Sequence, residues 1–600
     1  MQRLFAHSLH SRSICVALAT LALLGGCAAP QTARQVASQP REPVEVGVPG
    51  GIEVGIIAIN DFHGALEPPR AAVLAPDGQG GAIAVPAGGA AWLASAVDGI
   101  KAKHGHSVVV AAGDLTSASQ LASSLYLDEP AVGVLNRIGL EFNAVGNHEF
   151  DRGWKELLRL QNGGCERNTR LEPCRLERFQ GAGYKYLAAS TSKADGSPLF
   201  PATALKSFGS GAARVTVGFV GLSLSDVPVL VAPDRVAGLT FGDEAEAINR
   251  AVPLLRAGGA DAVVVLLHQG GKTAGADPDG CEDLTGAIRP ILDRLEPGVD
   301  VVVSGHTHWQ YVCRHGDSGG GTPILLTSAG ANGTLVTDIT LRIDPAAGRV
   351  VAKQAHNVIV QSPGYSSARG DTPNTALYPR FAPRADVAAY VARYTQDAMA
   401  LIARPVGRIS GPAVKPAGDR GQGGPLGNLI ADAMLDAGRA AGARIAFTNP
   451  FGIRAPLDPE PGGVVTFGQI YAVQPFENEL VTMTLTGAQV RAAIEEGLDD
   501  AGVQQVLAPS AGLAFTFDMA RPSGSRLVAL MLDGKPLDPA GSYRVMVASF
   551  LAEGGDGFAA FTQGTDRMRG IVDNEAFQQW IAAVPVREVP REERAARIGG

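Results

Sequence analysis

Apolar positions along this chain gather into short β-branched runs, each followed by a polar turn and then a helix-like stretch. The clearest runs are Ile52 to Ile59, Val108 to Ala112, Val215 to Leu222, Ala262 to Leu267, Val299 to Val303 and Ile324 to Thr327. Near-continuous runs of this length suit strands buried on both faces, and they predict an α/β domain over 51–362. The Gly/Ala-rich stretch from Leu74 to Gly89 reads as a surface insertion rather than an element. Residues 363–402 form a linker, polar and Pro/Gly/Ser-rich to Pro383. It ends in a connecting helix from Ala385 to Ile402, with Val387, Tyr390, Val391 and Tyr394 on one face. A second α/β unit is expected over 403–586, with a helix marked by Leu426, Leu429, Ile430, Ala433 and Met434. The charged tail 587–600 is expected to fray.

Composition narrows the class. At 600 residues the chain is too long for one core. A formal charge of -8 gives no basic face for a nucleic-acid polymer. At the amino terminus, Arg3 and Arg12 precede an apolar run from Ile14 to Leu24, too short to span a bilayer as a stable helix. The run ends in Leu24-Gly25-Gly26-Cys27, which resembles a bacterial lipobox. That makes 1–26 a lipoprotein signal peptide, Cys27 the lipidated residue and 27–50 a flexible tether. An ordinary signal peptide that happens to hold a cysteine is the alternative. Ala28, rather than Asp, after the anchor directs the expectation to the outer membrane, facing the periplasm or cell surface. Of six cysteines, four remain beyond Cys15 and Cys27. They fall into two local pairs, Cys165 with Cys174 and Cys281 with Cys313. An even count in an exported chain favours disulfides; a Cys-only zinc site is the alternative, without CxxC spacing to support it.

The candidate chemistry lies at strand ends. Asp61 and His63 follow the first run, and Asp114 the second. Asn147 and His148, in Gly146-Asn-His-Glu-Phe-Asp151, follow the short stretch Phe142 to Val145. His268 ends the run 262–267, and His306 and His308 follow 299–303. Ligands collect at the carboxyl ends of strands in open α/β sheets. One such histidine alone would be a satisfied loop residue; five strand ends with metal-type ligands are not coincidence. Imidazole, carboxylate and amide without thiolate suit Mn, Zn, Fe or Co. Two divalent ions beside Asp61 and Asp114 would attract a phosphate dianion, and would lower the pKa of water towards neutrality to supply an in-line nucleophile.

The runs Asp61-Phe-His-Gly, Gly113-Asp, Gly146-Asn-His-Glu-Phe-Asp, the lone His268 and Gly305-His-Thr-His resemble the calcineurin-like metallophosphoesterases. They are most similar to the secreted 5'-nucleotidase and UDP-sugar hydrolase branch. The resemblance implies a four-layer β-sandwich flanked by helices, a linker helix and a C-terminal α/β nucleotide-binding domain. It implies that Asp61, His63, Asp114 and His308 hold one metal. Asp114, Asn147, His268 and His306 would hold the other, with Asp114 bridging. His148, oriented by Asp151, would stabilise the transition state. Periplasmic sugar-nucleotide hydrolases often carry Gln at the position of His308, a change that would alter metal preference more than reaction type.

In the second unit, Arg420 and Arg454 are candidate phosphate or carboxylate forks. Phe476 and Phe550 read as core residues on spacing alone, and Asp556 as a plain turn residue. The resemblance implies instead that the two rings clamp a base, that Asp556 contacts the ribose and that Asn449 touches substrate. Pro450-Phe451 departs from the family's Gly-rich run there and implies a differently shaped pocket. The expected substrate is a nucleoside 5'-phosphate, with nucleoside di- and triphosphates, UDP-sugars and 2',3'-cyclic nucleotides as further possibilities. A sulfur-ester hydrolase and an inactive surface-binding lipoprotein are the alternatives. No sequence feature assigns an oligomeric state.

Overall fold

The computed structural model describes residues 51–169, 171–316, 323–367, 370–416, 421–500 and 504–598. The expected signal peptide, Cys27, the tether and Arg420 lie outside the described residues.

The apolar runs of the first domain become two six-stranded sheets. One has the order 349–359, 335–344, 52–59, 107–111, 140–144, 185–187, and the other 310–315, 324–329, 301–304, 262–267, 215–222, 203–208. The four strands from 52–59 to 185–187 run parallel, as do the four from 324–329 to 215–222. Successive residues bury on opposite faces. Val54, Ile56 and Ala58 face the other sheet, where Val217, Phe219, Val264, Leu266 and Val301 meet them. Ile57 and Ile59 point outward, into a core shared with helices 90–101 and 129–138. On the far side Val263, Val265, Leu267 and Val302 pack beneath helix 244–257. The result is the expected stack of helix, sheet, sheet and helix, and it explains why these strands lack a polar face. Each fully buried aliphatic side chain contributes about 1.5–3 kcal/mol.

The helix Ala385–Ile402 forms as expected, and it is more than a connector. Val387, Tyr390, Val391 and Tyr394 join the core of the first domain. Gly133 permits the contact, since a Cβ there would lie 2.0 Å from the Tyr390 hydroxyl oxygen. Tyr126 donates to Asp397 (2.5 Å), and Arg384 donates to Asp98 (3.1 Å) and to the Arg137 carbonyl (2.7 Å).

The second domain has a five-stranded sheet in the order 508–509, 445–448, 542–548, 479–486, 565–572. Helix 424–438 buries Leu426, Leu429, Ile430, Ala433 and Met434 against one face. Helix 487–497 and a four-stranded sheet cover the other.

Two expectations are corrected. Within 74–89 the chain forms a hairpin, Ala72–Pro76 paired with Ala82–Pro86. The Asp77 carboxylate closes its turn by accepting from the amides of Gln79 (2.7 Å) and Gly81 (2.9 Å). Val73, Ala75 and Val85 bury against Leu335 and Ile359. The tail does not fray as far as Ile598. Ala595–Arg597 pairs in parallel with 513–517, and buried Arg594 makes a two-pronged contact to Asp432 (2.7 and 3.0 Å). Both local cysteine pairs form disulfides, Cys165–Cys174 and Cys281–Cys313. Among the described residues no helix is long and apolar enough to cross a membrane.

Candidate active site

All seven expected ligands of the first domain converge at the carboxyl ends of its parallel strands. Asp61 and His63 leave strand 52–59, Asp114 leaves 107–111 and Asn147 leaves 140–144. His268 leaves 262–267, and His306 and His308 leave 301–304. Donor atoms of Asp61, His63 and His308 lie within 4.8 Å of one another, and so do those of Asp114, His268 and His306. His63 Nε2 is 3.1 Å from His308 Nε2, which is 3.3 Å from Asp61 Oδ1. His268 Nε2 is 3.0 Å from Asp114 Oδ2 and 3.1 Å from Asn147 Oδ1, which in turn lies 3.0 Å from His306 Nδ1. His63 Nε2 also lies 3.9 Å from Asp114 Oδ2, placing that carboxylate between the two groups.

The backbone is bent to aim these groups. Asp61, His63, Asp114, His306 and His308 all have φ between +47° and +70°. Outside glycine that region costs on the order of 1–3 kcal/mol per residue and persists only where the surroundings enforce it. Gly146 is enforced too, because a Cβ there would lie 2.1 Å from Asp114 Oδ1.

The layer beneath orients the ligands. His63 Nδ1 donates to the Ser117 carbonyl (2.9 Å) and His268 Nδ1 to the Ala112 carbonyl (2.7 Å), turning each Nε2 lone pair into the cluster. Asn60 donates to Asp61 Oδ2 (2.7 Å). Sequence reasoning passed over Glu149, although it stands in the same run as His148. Its buried carboxylate accepts from the amides of Asp114 (2.8 Å), Leu115 (2.7 Å) and Gly146 (2.6 Å), clamping two ligand loops together. Burial and the Asp114 charge push Glu149 up to about 7. Its motif position was the available signal, but an acid that binds mainly backbone amides leaves no trace in residue type.

Electrostatics favour a cation here. Burial disfavours charge on His306, and neighbouring His268 adds to this, pushing it down to about 3. Burial and the Arg454 guanidinium hold His63 well below the usual histidine range. At His268 burial acts the same way, but Asp114 prevails and pushes it up to about 9. Imidazoles, two carboxylates and an amide, gathered into two groups without a thiolate, fit two divalent metal ions, which would take the place of the proton on His268.

His148 stands beside the cluster and outside both donor groups. Its Nδ1 donates to Asp151 Oδ2 (2.8 Å), and its backbone amide donates to Asp114 Oδ1 (2.9 Å). Burial opposes charge on the ring, yet Asp151 and then Asp114 outweigh it, raising His148 above the usual range.

The second domain reaches into this centre. Arg454 Nη2 donates to His63 Nε2 (3.4 Å), and the Phe476 ring lies face to face with His148, centroids 5.6 Å apart at 12°. Both are set by the helix Phe467–Val473, which opens with a Thr466/Gln469 capping box. Its last carbonyl, on Val473, accepts the Arg454 amide (2.9 Å), and Pro475 then bars further helix before Phe476. The same helix carries Tyr471, whose hydroxyl pairs with Ser124 Oγ of the first domain (2.5 Å). Arg152 donates to that Ser124 oxygen (2.6 Å) and follows Asp151 in sequence. Asn449 follows strand 445–448 and Phe550 follows the adjacent strand 542–548. Asn449 Nδ2 donates to Asp556 Oδ2 (2.7 Å), which lies in a left-handed turn at φ +56°. Phe550 packs on Gly555 at the edge of the second-domain core. Pro450 and Phe451 form a short turn, its Pro450 carbonyl held by Lys415 (3.1 Å).

Comparison with known proteins fits this layout. The calcineurin-like phosphoesterase model matches residues 55–310, and the 5'-nucleotidase C-terminal domain model matches 405–563. The cell wall protein Lmo0130 of Listeria monocytogenes is 30% identical over 556 residues, 88% of this chain and 67% of that protein. The chain belongs to the 5'-nucleotidase family of calcineurin-like phosphoesterases. That family is one of metal-dependent phosphoester hydrolases. Family members differ in length. The endonuclease YhcR of Bacillus subtilis is 28% identical over 86% of this chain, which spans only 38% of its length. The 5'-nucleotidase precursor of Thermus thermophilus superposes with a TM-score of 0.72 at 26% identity, covering 92% of this chain and 100% of that one.

Proposed function

We propose that this family member is an exported, lipid-anchored 5'-nucleotidase that releases phosphate from nucleoside 5'-phosphates with the help of two divalent metal ions. The observation that carries the reading is the meeting of Arg454 and Phe476 with His63 and His148. A guanidinium beside a site for two cations needs an anion between them, and a phosphate supplies it. An aromatic face at the same place suits a flat ring, a contact worth about 1–3 kcal/mol per stacked base.

Bound ions would supply Lewis acidity and a nucleophile from water near neutral pH. The chain's own groups do the rest. Arg454 holds the phosphate, His148 presents positive charge to the developing oxyanion and leaving oxygen, and Asp151 keeps His148 charged and aimed. Asn449, Asp556, Phe476 and Phe550 orient the nucleoside. Nucleoside di- and triphosphates, UDP-sugars and 2',3'-cyclic nucleotides share these handles and are further candidate substrates. The two disulfides support an oxidising compartment, and so support export.

Phosphate release is measured across these nucleotides after chelation and re-addition of Mn, Co or Zn. Metal-restored release from nucleoside 5'-phosphates is expected; none from any nucleotide would sink the proposal. The double variant Phe476→Ala, Phe550→Ala should weaken nucleotide turnover far more than turnover of a small aryl phosphate. Equal losses would count against a base clamp.

A further inference from the structure

Phe476 sits in a five-residue link, 474–478, between the helix Phe467–Val473 and the strand 479–486. Pro475 gives that link no amide to donate, and Glu477, directly after the ring, lies at φ +52°. A residue other than glycine stays in that region only where its surroundings enforce it. The enforcement comes one residue later. The Asn478 carbonyl accepts from the Asp573 amide (2.8 Å), and Asn478 Nδ2 donates to Asp573 Oδ2 (3.3 Å). Asp573 opens the helix Asp573–Ala582, whose Ala576, Phe577 and Ile581 are seated in the second-domain core. One residue anchored in the core therefore grips Asn478 by both backbone and side chain.

Asp573 is itself 4% exposed, and its Oδ1 accepts from the Asn574 amide (2.7 Å). Among the described residues its carboxylate bonds only to amides, with no cation opposite it. Burial pushes its carboxyl up to about 7, against those bonds. Acids are favoured in a first helical turn, yet for that purpose they need neither burial nor a partner on another segment. The strand just ahead makes a related pair of bonds. Arg569 donates to Glu479 Oε2 (2.7 Å) and to Glu553 Oε1 (2.9 Å), which stand three residues after Phe476 and Phe550. Segment 565–573 carries none of the proposed substrate contacts, but it ties down both segments that carry the rings.

We infer that Asp573 is a positioning residue for nucleotide binding: by gripping Asn478 it fixes the turn that holds the Phe476 ring against His148. The inference rests on the nucleotide reading above and adds to it a residue that acts without touching substrate.

The test measures kcat and KM for adenosine 5'-phosphate and a small aryl phosphate in the metal-loaded full chain. The variants are Asp573→Ala, Asn478→Ala, Phe476→Ala and the double variant Asp573→Ala, Phe476→Ala. Asp573→Ala and Asn478→Ala should each lower nucleotide kcat/KM by about tenfold, mainly through KM, the scale of a disturbed base stack. Aryl phosphate turnover should not change. Once Phe476 is already Ala, Asp573→Ala should cost nothing further, since its effect runs through the ring. Unchanged nucleotide kinetics in Asp573→Ala, or a full further loss in the double variant, would overturn the inference. Equal losses on both substrates would overturn it as well, leaving Asp573 a fold residue only. If Asp573→Ala does not fold, Asn478→Ala with Phe476→Ala gives the same comparison from the other end of the bond. Wild type that turns over the aryl phosphate but no nucleotide would overturn the nucleotide reading itself, a result distinct from all of these.

Discussion

The ligand cluster of the first domain and the substrate-reading face of the second reach the same point by different routes. Each candidate ligand leaves the end of a buried strand, five of the seven on a left-handed backbone bend, and the cluster is braced by groups within its own domain, such as Glu149, Asn60 and the carbonyls of Ala112 and Ser117. Arg454 and Phe476 instead sit on turns that meet at the carboxyl end of a single seven-residue helix, and they reach His63 and His148 only across the domain boundary. The centre for the chemistry is built in advance by one domain. The groups proposed to read the substrate come together with it at the contact between the two domains.

The comparison can be broken by experiment. The largest effect is expected from Asp114→Ala, which removes the carboxylate between the two donor groups. Phosphate release should fall by about 10³-fold or more, with metal lost on elemental analysis. Full metal retention would mean that Asp114 does not bridge. His148→Ala should lower kcat by about 10²–10³-fold while the metal content stays unchanged, separating transition-state stabilisation from ligation. The same histidine predicts a pH dependence. Its pKa is raised, so the charged form persists to higher pH and is lost as pH climbs through that value. Asp151→Asn removes a raising charge, so the alkaline limb of the kcat profile should move to lower pH; an unmoved limb would assign it to another group.

Arg454→Ala should reduce nucleotide kcat/KM by about 10–100-fold, the scale of a charged hydrogen bond, and leave the metal content intact. Metal loss in this variant would erase the division between the two regions. The smallest effect is expected from Tyr471→Phe. Losing the hydroxyl contact with Ser124 should cost about 1 kcal/mol, seen as a modest drop in melting temperature. A larger fall in kcat than in stability would show that docking itself gates turnover.

The legible parts of the sequence were those where residue type and local pattern carry the chemistry. Strands 52–59, 215–222 and 262–267 emerged at the expected residues because burial on both faces demands unbroken apolar runs. The ligands were visible because histidines and carboxylates at strand ends are otherwise unusual. The hairpin 72–86 was missed because its glycines marked the turn and hid the short alternation of Val73, Ala75, Ile83 and Val85 around it. Glu149 was missed for a different reason: it stands in the legible motif, but its carboxylate serves backbone amides of Asp114 and Leu115 far along the chain, which residue type does not announce. The tail read as frayed because Arg594 looks like any surface charge until Asp432 is placed opposite it.

That last contact bears on how the protein is made. The second domain cannot complete its four-stranded sheet, or neutralise Asp432, until residue 597 has left the ribosome. Trimming those residues to obtain a shorter expression product would remove a structural strand and leave the Asp432 carboxylate with the Ala511 amide but without its arginine.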